Sequence, residues 1–82
     1  MDLVQLTEFI VKSLVVNEEN VSVKEFESDE ENTVLIQVLV DSEDMGRIIG
    51  KGGKIANAVR TLIQASSYIK DNKKIKINID SF

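Results

Sequence analysis

Apolar residues recur at helical spacing at the beginning of the chain. Steps of three and four residues separate Leu3, Leu6, Ile10 and Leu14. This spacing places them on one face of a helix, so the pattern predicts an amphipathic helix over residues 3–16. Asp2 is a suitable N-cap, because its carboxylate can accept hydrogen bonds from the first free N–H groups of that helix. The polar run at residues 17–20 ends the pattern.

Three later segments have patterns typical of β-strands. Residues 21–26 alternate weakly, residues 33–40 are mainly β-branched or apolar, and residues 74–80 alternate isoleucine with polar side chains. The connection between the first two is short, which predicts an antiparallel hairpin. Leu35 and Leu39 make the second face of the middle strand apolar, so we expect either a helix or a partner subunit to cover that face.

Two further helices are predicted between the second and third strands. Asp41 or Ser42 can cap a short helix that runs to about Ile49, where glycines end it. A longer helix follows and ends at Asp71-Asn72. Its inward face is predicted from the helical spacing of Ile55, Val59, Leu62, Ile63, Ser66 and Ile69. The order α-β-β-α-α-β predicts an α+β two-layer fold with three helices on one face of a three-stranded sheet. With 82 residues, we expect a single domain over residues 1–82.

The charges are distributed unevenly along the chain. The net charge is −4, but residues 45–76 carry eight cationic side chains against one acidic residue, and residues 1–44 carry two cationic side chains against twelve acidic residues. A ligand responds to the local field rather than to the average, so the second half is the candidate anion-binding side. The same distribution also suits a soluble, dipolar surface with no ligand.

The composition excludes several classes of protein. There is no cysteine and no histidine, so disulfides, thiolate metal sites and the commonest general base are absent, and we expect neither an enzyme nor a cofactor. The acidic run at residues 25–31 has no glycine pivot for a calcium loop, which favours a solvated turn. No signal peptide and no membrane-spanning run is present, so the sequence predicts a cytoplasmic protein.

All four glycines lie within ten residues, at positions 46–55, together with Arg47, Lys51 and Lys54. This segment is not a P-loop, because neither Gly-Lys pair is followed by serine or threonine. It is not a dinucleotide fingerprint either, because position 55 is isoleucine and a helix rather than a strand is predicted to precede it. What remains is the pattern Ile-Gly-x-x-Gly-x-Ile over residues 49–55, between two helices.

This pattern resembles the glycine loop of a KH domain, and the element order resembles the type II KH-like arrangement with a mixed sheet. The resemblance implies that the glycine backbone holds a single-stranded RNA backbone, with cationic side chains adding charge and flanking isoleucines forming an apolar floor. The residues so implicated are Arg47, Ile49, Gly50, Lys51, Gly52, Gly53, Lys54 and Ile55. Secondary basic contacts are expected from Arg60, Lys73 and Lys74.

The size, the charge distribution and the glycine loop of this chain are similar to those of the bacterial stand-alone KH proteins of the KhpA family. That resemblance implies an RNA chaperone or post-transcriptional regulator that forms a homodimer or acts with a larger KH-containing partner of the KhpB or Jag type. Gly52 departs from the polar or basic residue usual in many KH loops, which predicts weaker and less selective binding. The alternative function is a protein-interaction module with a KH fold and little RNA affinity.

Overall fold

The computed structural model describes residues 2–82. The helices are α1 (Leu3–Leu14), α2 (Met45–Ile49) and α3 (Lys54–Lys70), and the strands are β1 (Ser22–Glu27), β2 (Thr33–Val40) and β3 (Lys74–Ser81). Short 3-10 turns occupy Glu18–Asn20, Ser42–Asp44 and Lys51–Gly53. The predicted order of helices and strands is confirmed.

The sheet is mixed, and β2 is its central strand. β1 pairs with β2 in the antiparallel sense, with Ser22 opposite Leu39, so the predicted hairpin is confirmed. β3 pairs with β2 in the parallel sense, from Thr33 opposite Lys74 to Val40 opposite Ser81. A parallel pair needs a long crossover between its strands, and α2 with α3 forms that crossover. The end of the sheet where β2 and β3 finish is therefore also the end where α3 begins.

The helices cover one face of the sheet and bury a single aliphatic core. Its fully buried members come from every layer, and include Val11 of α1, Ile36 and Val38 of β2, Ile48 of α2 and Ile63 of α3. Cross-strand neighbours point to the same side of a sheet, so the row Val23, Val38 and Ile79 faces this core.

The inward face of α3 differs from the predicted one. Ala56, Val59, Ile63 and Ser67 are buried, whereas Leu62 is 56% exposed and Ile69 is 88% exposed. The helix bears two apolar stripes: the one with Ala56, Val59, Ile63 and Ser67 lies in the core, and the one with Leu62 and Ile69 faces away from it. The prediction that Leu62 and Ile69 face inward is wrong.

α1 begins as predicted but ends two residues earlier. The Asp2 carboxylate accepts a 2.7 Å hydrogen bond from the Gln5 backbone N–H, and the Gln5 side chain accepts one from the Asp2 N–H at 3.1 Å. This reciprocal pair fixes the first turn. At the other end Val15 is extended, and the N–H of Val16 bonds to the Asp44 carboxylate rather than to the helix. A long-range contact therefore sets the helix end.

The second face of the sheet is not covered by the described helices. Phe26, Leu35 and Lys76 form one row across this face, and Ser22, Leu39 and Asp80 form another. Leu35 and Leu39 are half-buried by their neighbours, and Phe26 is exposed. Of the two expectations for this face, cover by a helix of the same chain is excluded for residues 2–82.

Candidate nucleic-acid interface

The glycine loop between α2 and α3 depends on backbone angles that favour glycine. Gly50, Gly52 and Gly53 have φ values of +71°, +65° and +78°. Gly50 also has ψ of 176°, which lies in a region that essentially only glycine occupies. Its N–H closes α2 by donating to the Gly46 carbonyl at 2.9 Å. The three glycines thus turn the chain from α2 into α3 in a few residues.

Gly50 is also required by packing. A Cβ built on Gly50 would lie 2.6 Å from Cγ1 of Ile55 and 2.9 Å from its Cβ. Ile55 in turn contacts the hydrophobic core, so it cannot move aside freely. At position 50 the loop backbone packs directly against Ile55 in the first turn of α3, and this contact holds the loop in place.

Gly52 lies on the outer surface of the loop. A Cβ at this position would have no heavy atom within 4 Å, so the backbone here is open to a ligand. Gly53 is the N-cap of α3, and no described side chain accepts a hydrogen bond there. The first N–H groups of a helix lack internal partners and carry partial positive charge. Lys51 and Lys54, both exposed, flank these groups.

The isoleucines beside the loop have different environments. Ile48 is fully buried and anchors α2 in the core. Ile49 and Ile55 are half-buried, which leaves part of each side chain at the surface next to the glycines. Arg47 lies on the last turn of α2 with its side chain 59% exposed. The structure therefore brings together all eight residues that the sequence implicates in the loop site.

An open groove of about 630 Å³ lies between α3 and β3. Its lining residues include Arg60, Thr61, Gln64, Tyr68, Ile75 and Lys76. Arg60, Gln64 and Tyr68 are four residues apart on α3, so they lie on one side of the helix and form a stripe that leads away from the glycine loop. Sequence reasoning gave Arg60 as a secondary basic contact but missed the groove, because the groove exists only where β3 packs beside α3.

Within the groove, Gln64 joins α3 to the start of β3. Its side-chain amide donates to the Lys73 carbonyl at 3.0 Å, and its side-chain oxygen accepts from the Ile75 N–H at 2.8 Å. Ser67 also donates to the Lys73 carbonyl, at 2.7 Å. These bonds fix the start of β3 against α3, and they leave Gln64 little capacity to bind a ligand.

Lys73 and Lys74 lie at the opposite end of α3 from the glycine loop. The 17 residues of α3 correspond to about 25 Å at 1.5 Å per residue. There Lys73 lines a depression with the acidic turn between β1 and β2. In the same region Lys76 forms an ion pair with Glu30, and this hydrogen bond and charge hold the pKa of Glu30 below its ordinary value. The structure does not bring Lys73 and Lys74 together with the loop.

Asp44 joins the loop segment to the end of α1, a role that the sequence did not indicate. The side chain is 1% exposed, and its carboxylate accepts hydrogen bonds from the N–H groups of Val16 and Asn17, both at 3.0 Å. Arg47 Nε lies 3.6 Å from the same carboxylate. The bond from Val16 lowers the pKa of Asp44 most, burial opposes it, and Asn17 and Arg47 lower the pKa further. Asp41 and Glu43 are also acidic and lie in the same segment. The sequence pattern alone therefore could not identify Asp44 as the residue that contacts the end of α1.

This geometry predicts a pH-dependent contribution of Asp44 to stability. Because the pKa of Asp44 is lower in the folded state, its contribution is present above about pH 4 and is lost as the pH falls through the folded-state value. We expect Asp44→Asn to lower the thermal midpoint at pH 7 by several degrees, with the difference shrinking towards pH 3. Glu43→Gln, at an exposed neighbour, is the control. Equal pH profiles for Asp44→Asn and the unchanged protein would contradict this role.

No group of three or more acidic residues among residues 2–82 lies in a position to hold a metal ion. No helix in this part of the chain is long and apolar enough to cross a membrane. The glycine loop and the adjoining groove remain the features with the clearest binding geometry.

Comparison with known proteins gives consistent matches. The family model described as KhpA/KhpB, KH domain matches residues 4–79. The RNA-binding protein KhpA of Clostridium perfringens is 44% identical over 75 residues, covering 92% of this chain and 96% of that protein. KhpA of Listeria monocytogenes is 46% identical over 70 residues, covering 85% of this chain and 88% of that protein. KhpA of Borreliella burgdorferi is 40% identical over 76 residues, covering 93% of this chain and 89% of that protein.

Solved structures support the fold. Era from Aquifex aeolicus superposes with a TM-score of 0.69 at 16% identity, over 98% of this chain and 30% of that one. Era in complex with MgGDPNP and nucleotides 1506–1542 of 16S ribosomal RNA superposes with a TM-score of 0.67 at 17% identity, over 96% and 29%. This chain thus spans less than a third of Era, and at such identity the likeness concerns the fold alone. Together, the helix–glycine loop–helix geometry and the family match over residues 4–79 establish that the chain belongs to the KhpA/KhpB family of KH-domain proteins.

Proposed function

We propose that this protein is a non-catalytic module that binds single-stranded RNA through the glycine loop. The observation that carries the proposal is the open backbone at Gly52, which lies between two exposed lysines and next to the N-terminus of α3, where no side chain caps the helix. The relatives are named as RNA-binding proteins rather than as enzymes. Residues 1–82 then form one KH domain.

The residues of the site have different roles in this proposal. Gly50, Gly52 and Gly53 let the RNA backbone approach without steric hindrance from a Cβ. Backbone N–H groups at the start of α3 donate hydrogen bonds to the phosphate, and the positive charges come from Arg47, Lys51 and Lys54. Ile49 and Ile55 form an apolar edge against which sugars and bases pack. About four nucleotides fit along such a domain.

The groove between α3 and β3 extends this path. Arg60 and Thr61 lie one to two turns from the start of α3 and line the groove, so bases that leave the loop enter beside them. Tyr68, further along, offers an exposed ring for stacking. Lys73 and Lys74 lie beyond this path, next to acidic side chains, so we assign them at most a weak electrostatic contribution.

The charge of the site predicts weak and salt-dependent binding. Two or three phosphates neutralised by one domain correspond to a slope of log affinity against log salt of about −1.5 to −2 for a single strand. Fluorescence anisotropy with a labelled single-stranded RNA, measured at several salt concentrations, tests this directly. A slope near zero, or no binding at low salt, would contradict the proposed function.

At the level of the cell, we propose that the protein acts in the cytoplasm as an RNA chaperone or post-transcriptional regulator. Weak binding by one domain makes a second binding domain valuable, because two linked sites bind with avidity. The second domain would come from another copy of this chain or from a KH-containing partner of the KhpB or Jag type. The family model covers both KhpA and KhpB, so a partner of this type would carry a KH domain of the same family.

One observation favours a second candidate function. The outer face of the sheet bears Phe26, Leu35 and Leu39 and is not covered by helices of the described chain. An apolar sheet face suits a protein–protein contact better than a phosphate backbone. If the protein mainly binds proteins, substitution of Leu39 by Gln will abolish partner binding while substitutions in the glycine loop leave it unchanged.

A further inference from the structure

Asp44 occupies the N-cap position of α2, but its side chain makes no capping hydrogen bond there. The carboxylate is turned towards the end of α1 instead. It accepts hydrogen bonds from the Val16 N–H at 3.0 Å, the Asn17 N–H at 3.0 Å and the Asn17 side-chain amide at 3.1 Å. The side chain is 1% exposed, so these bonds hold the carboxylate in one orientation. A fixed negative charge therefore lies directly before the helix that leads to the glycine loop.

Arg47 is the cationic neighbour of this carboxylate. Its Nε lies 3.6 Å from Oδ1 of Asp44, the oxygen that also accepts from Val16, and its side chain is 59% exposed. Within residues 2–82, the two terminal nitrogens of the guanidinium donate no hydrogen bond to the protein. An arginine binds a phosphate through two parallel N–H groups. Such groups remain for a ligand when Nε is the atom next to the carboxylate.

The guanidinium lies on the α1 side of the glycine loop. A helical side chain leans towards the start of its helix, and Nε of Arg47 accordingly lies beside Asp44. Asp44 precedes Gly50 by six residues, which corresponds to about 9 Å along a helix. At that separation, Arg47 does not share the phosphate that the loop backbone holds. It is placed for a neighbouring phosphate of the same strand.

We propose that Asp44 is a positioning residue for RNA, which holds Arg47 by Nε so that the terminal nitrogens bind a phosphate next to the one at the glycine loop. This inference rests on the proposed function. A free arginine side chain has many rotamers and loses that freedom when it binds a ligand. Because Asp44 already restricts Arg47, less entropy is lost on binding, and the contact with the phosphate is stronger.

The charge of Asp44 acts in the opposite direction to its positioning role. A carboxylate close to a phosphate weakens binding through repulsion. If Asp44 acted on RNA through its charge alone, removal of that charge would raise the affinity. If Asp44 positions Arg47, its replacement lowers the affinity although the protein becomes less negative. The sign of the change therefore separates the two roles.

Asp44→Asn and Glu43→Gln remove the same charge at adjacent positions, of which Asp44 is the one that pairs with Arg47. Both are measured by fluorescence anisotropy with labelled single-stranded RNA, at a temperature where circular dichroism shows them folded. We expect Asp44→Asn to weaken binding about twofold to tenfold, the effect of leaving one side chain to be ordered on binding. Glu43→Gln should leave the affinity unchanged or raise it. An Asp44→Asn protein that binds RNA as tightly as the unchanged protein would overturn the proposal.

A double-mutant cycle with Arg47→Ala tests whether Asp44 acts through Arg47. In the Arg47→Ala protein, Asp44→Asn should no longer weaken binding, because only the repulsion is left to remove. The salt dependence is a second readout, which a loss of stability alone does not change. Asp44→Asn and Arg47→Ala should each make the slope of log affinity against log salt less negative by about 0.7, the contribution of one phosphate of a single strand. Equal weakening with and without Arg47, or an unchanged slope, would contradict the positioning role.

Arg47→Lys tests the same contact in a protein whose carboxylate is intact. The lysine ammonium has no separate nitrogens for Asp44 and for a phosphate, so the affinity should fall towards that of Arg47→Ala although the charge is kept. Adding Asp44→Asn to Arg47→Lys should recover part of the affinity, because the ammonium is then released. An Arg47→Lys protein with full affinity would overturn the proposal.

The outcomes distinguish this inference from the proposed function. If the unchanged protein binds single-stranded RNA but the substitutions of Asp44 and Arg47 do not behave as described, the positioning role is excluded and the proposed function stands. If neither the unchanged protein nor any of these variants binds RNA at low salt, the proposed function fails, and the positioning role fails with it.

Discussion

We expect Gly50→Ala to lose a large part of the stability of this domain. At φ of +71° and ψ of 176°, the backbone strain of an alanine costs about 1–3 kcal/mol. Its Cβ would also lie 2.6 Å from Cγ1 of Ile55, and forcing apart a packed contact costs about 1–3 kcal/mol more. A loss of roughly 2–6 kcal/mol compares with a total of about 5–15 kcal/mol for a whole domain.

Thermal or urea unfolding monitored by circular dichroism measures this loss, and Gly46 provides the matched control. Gly46 lies inside α2 with negative φ and has no heavy atom within 4 Å of a Cβ built on it. Gly46→Ala should therefore be neutral or stabilising by up to about 1 kcal/mol, as alanine favours helices. Equal stability of the two variants would show that the contact between Gly50 and Ile55 does not hold the loop.

The second large effect is expected on RNA binding rather than on folding. Changing Lys51→Asp and Gly52→Asp together removes one positive charge from the loop and adds two carboxylates. Aspartate tolerates the left-handed backbone that Gly52 adopts better than most residues do, and a side chain at this position meets no neighbour. The fold should survive. Because each unit charge near a phosphate is worth about 1 kcal/mol in water, RNA affinity at low salt should fall roughly tenfold to hundredfold.

The control for this pair carries the same change of charge elsewhere. Lys24→Asp with Ser13→Asp alters two exposed positions, one on β1 and one on α1, both outside the loop and the groove. This protein should bind single-stranded RNA nearly as tightly as the unchanged one. If both double variants lose affinity equally, net charge rather than the glycine loop would account for binding.

The strands and the loop could be predicted from sequence because their signals are local. β2 has the predicted limits of Thr33–Val40, since a run of β-branched and apolar residues flanked by turn residues leaves little choice of conformation. The pattern of glycines over residues 49–55 identified the turn between α2 and α3. Positive φ at Gly50, Gly52 and Gly53 is the physical reason that glycine occurs at those positions.

The features that sequence reasoning missed depend on contacts between distant segments. The end of α1 is set by the Asp44 carboxylate, 28 residues away from Val16. The groove requires β3 to lie beside α3, and no single segment contains it. In α3, two apolar stripes share one helix, so periodicity alone could not decide which one faces the sheet. Leu62 and Ile69 were assigned to the core for this reason, although both are exposed in the structure.

The central claim is that the glycine loop and the adjoining groove bind single-stranded RNA, and amide chemical-shift mapping tests it most directly. Titration of the isotope-labelled protein with a short single-stranded RNA at low salt should shift the amide signals of residues 46–55 most strongly. Smaller shifts should follow for Arg60 and Thr61, and the signals of the outer sheet face should stay unchanged. Shifts confined to Phe26, Leu35 and Leu39, or the absence of any shift at millimolar RNA, would contradict this account.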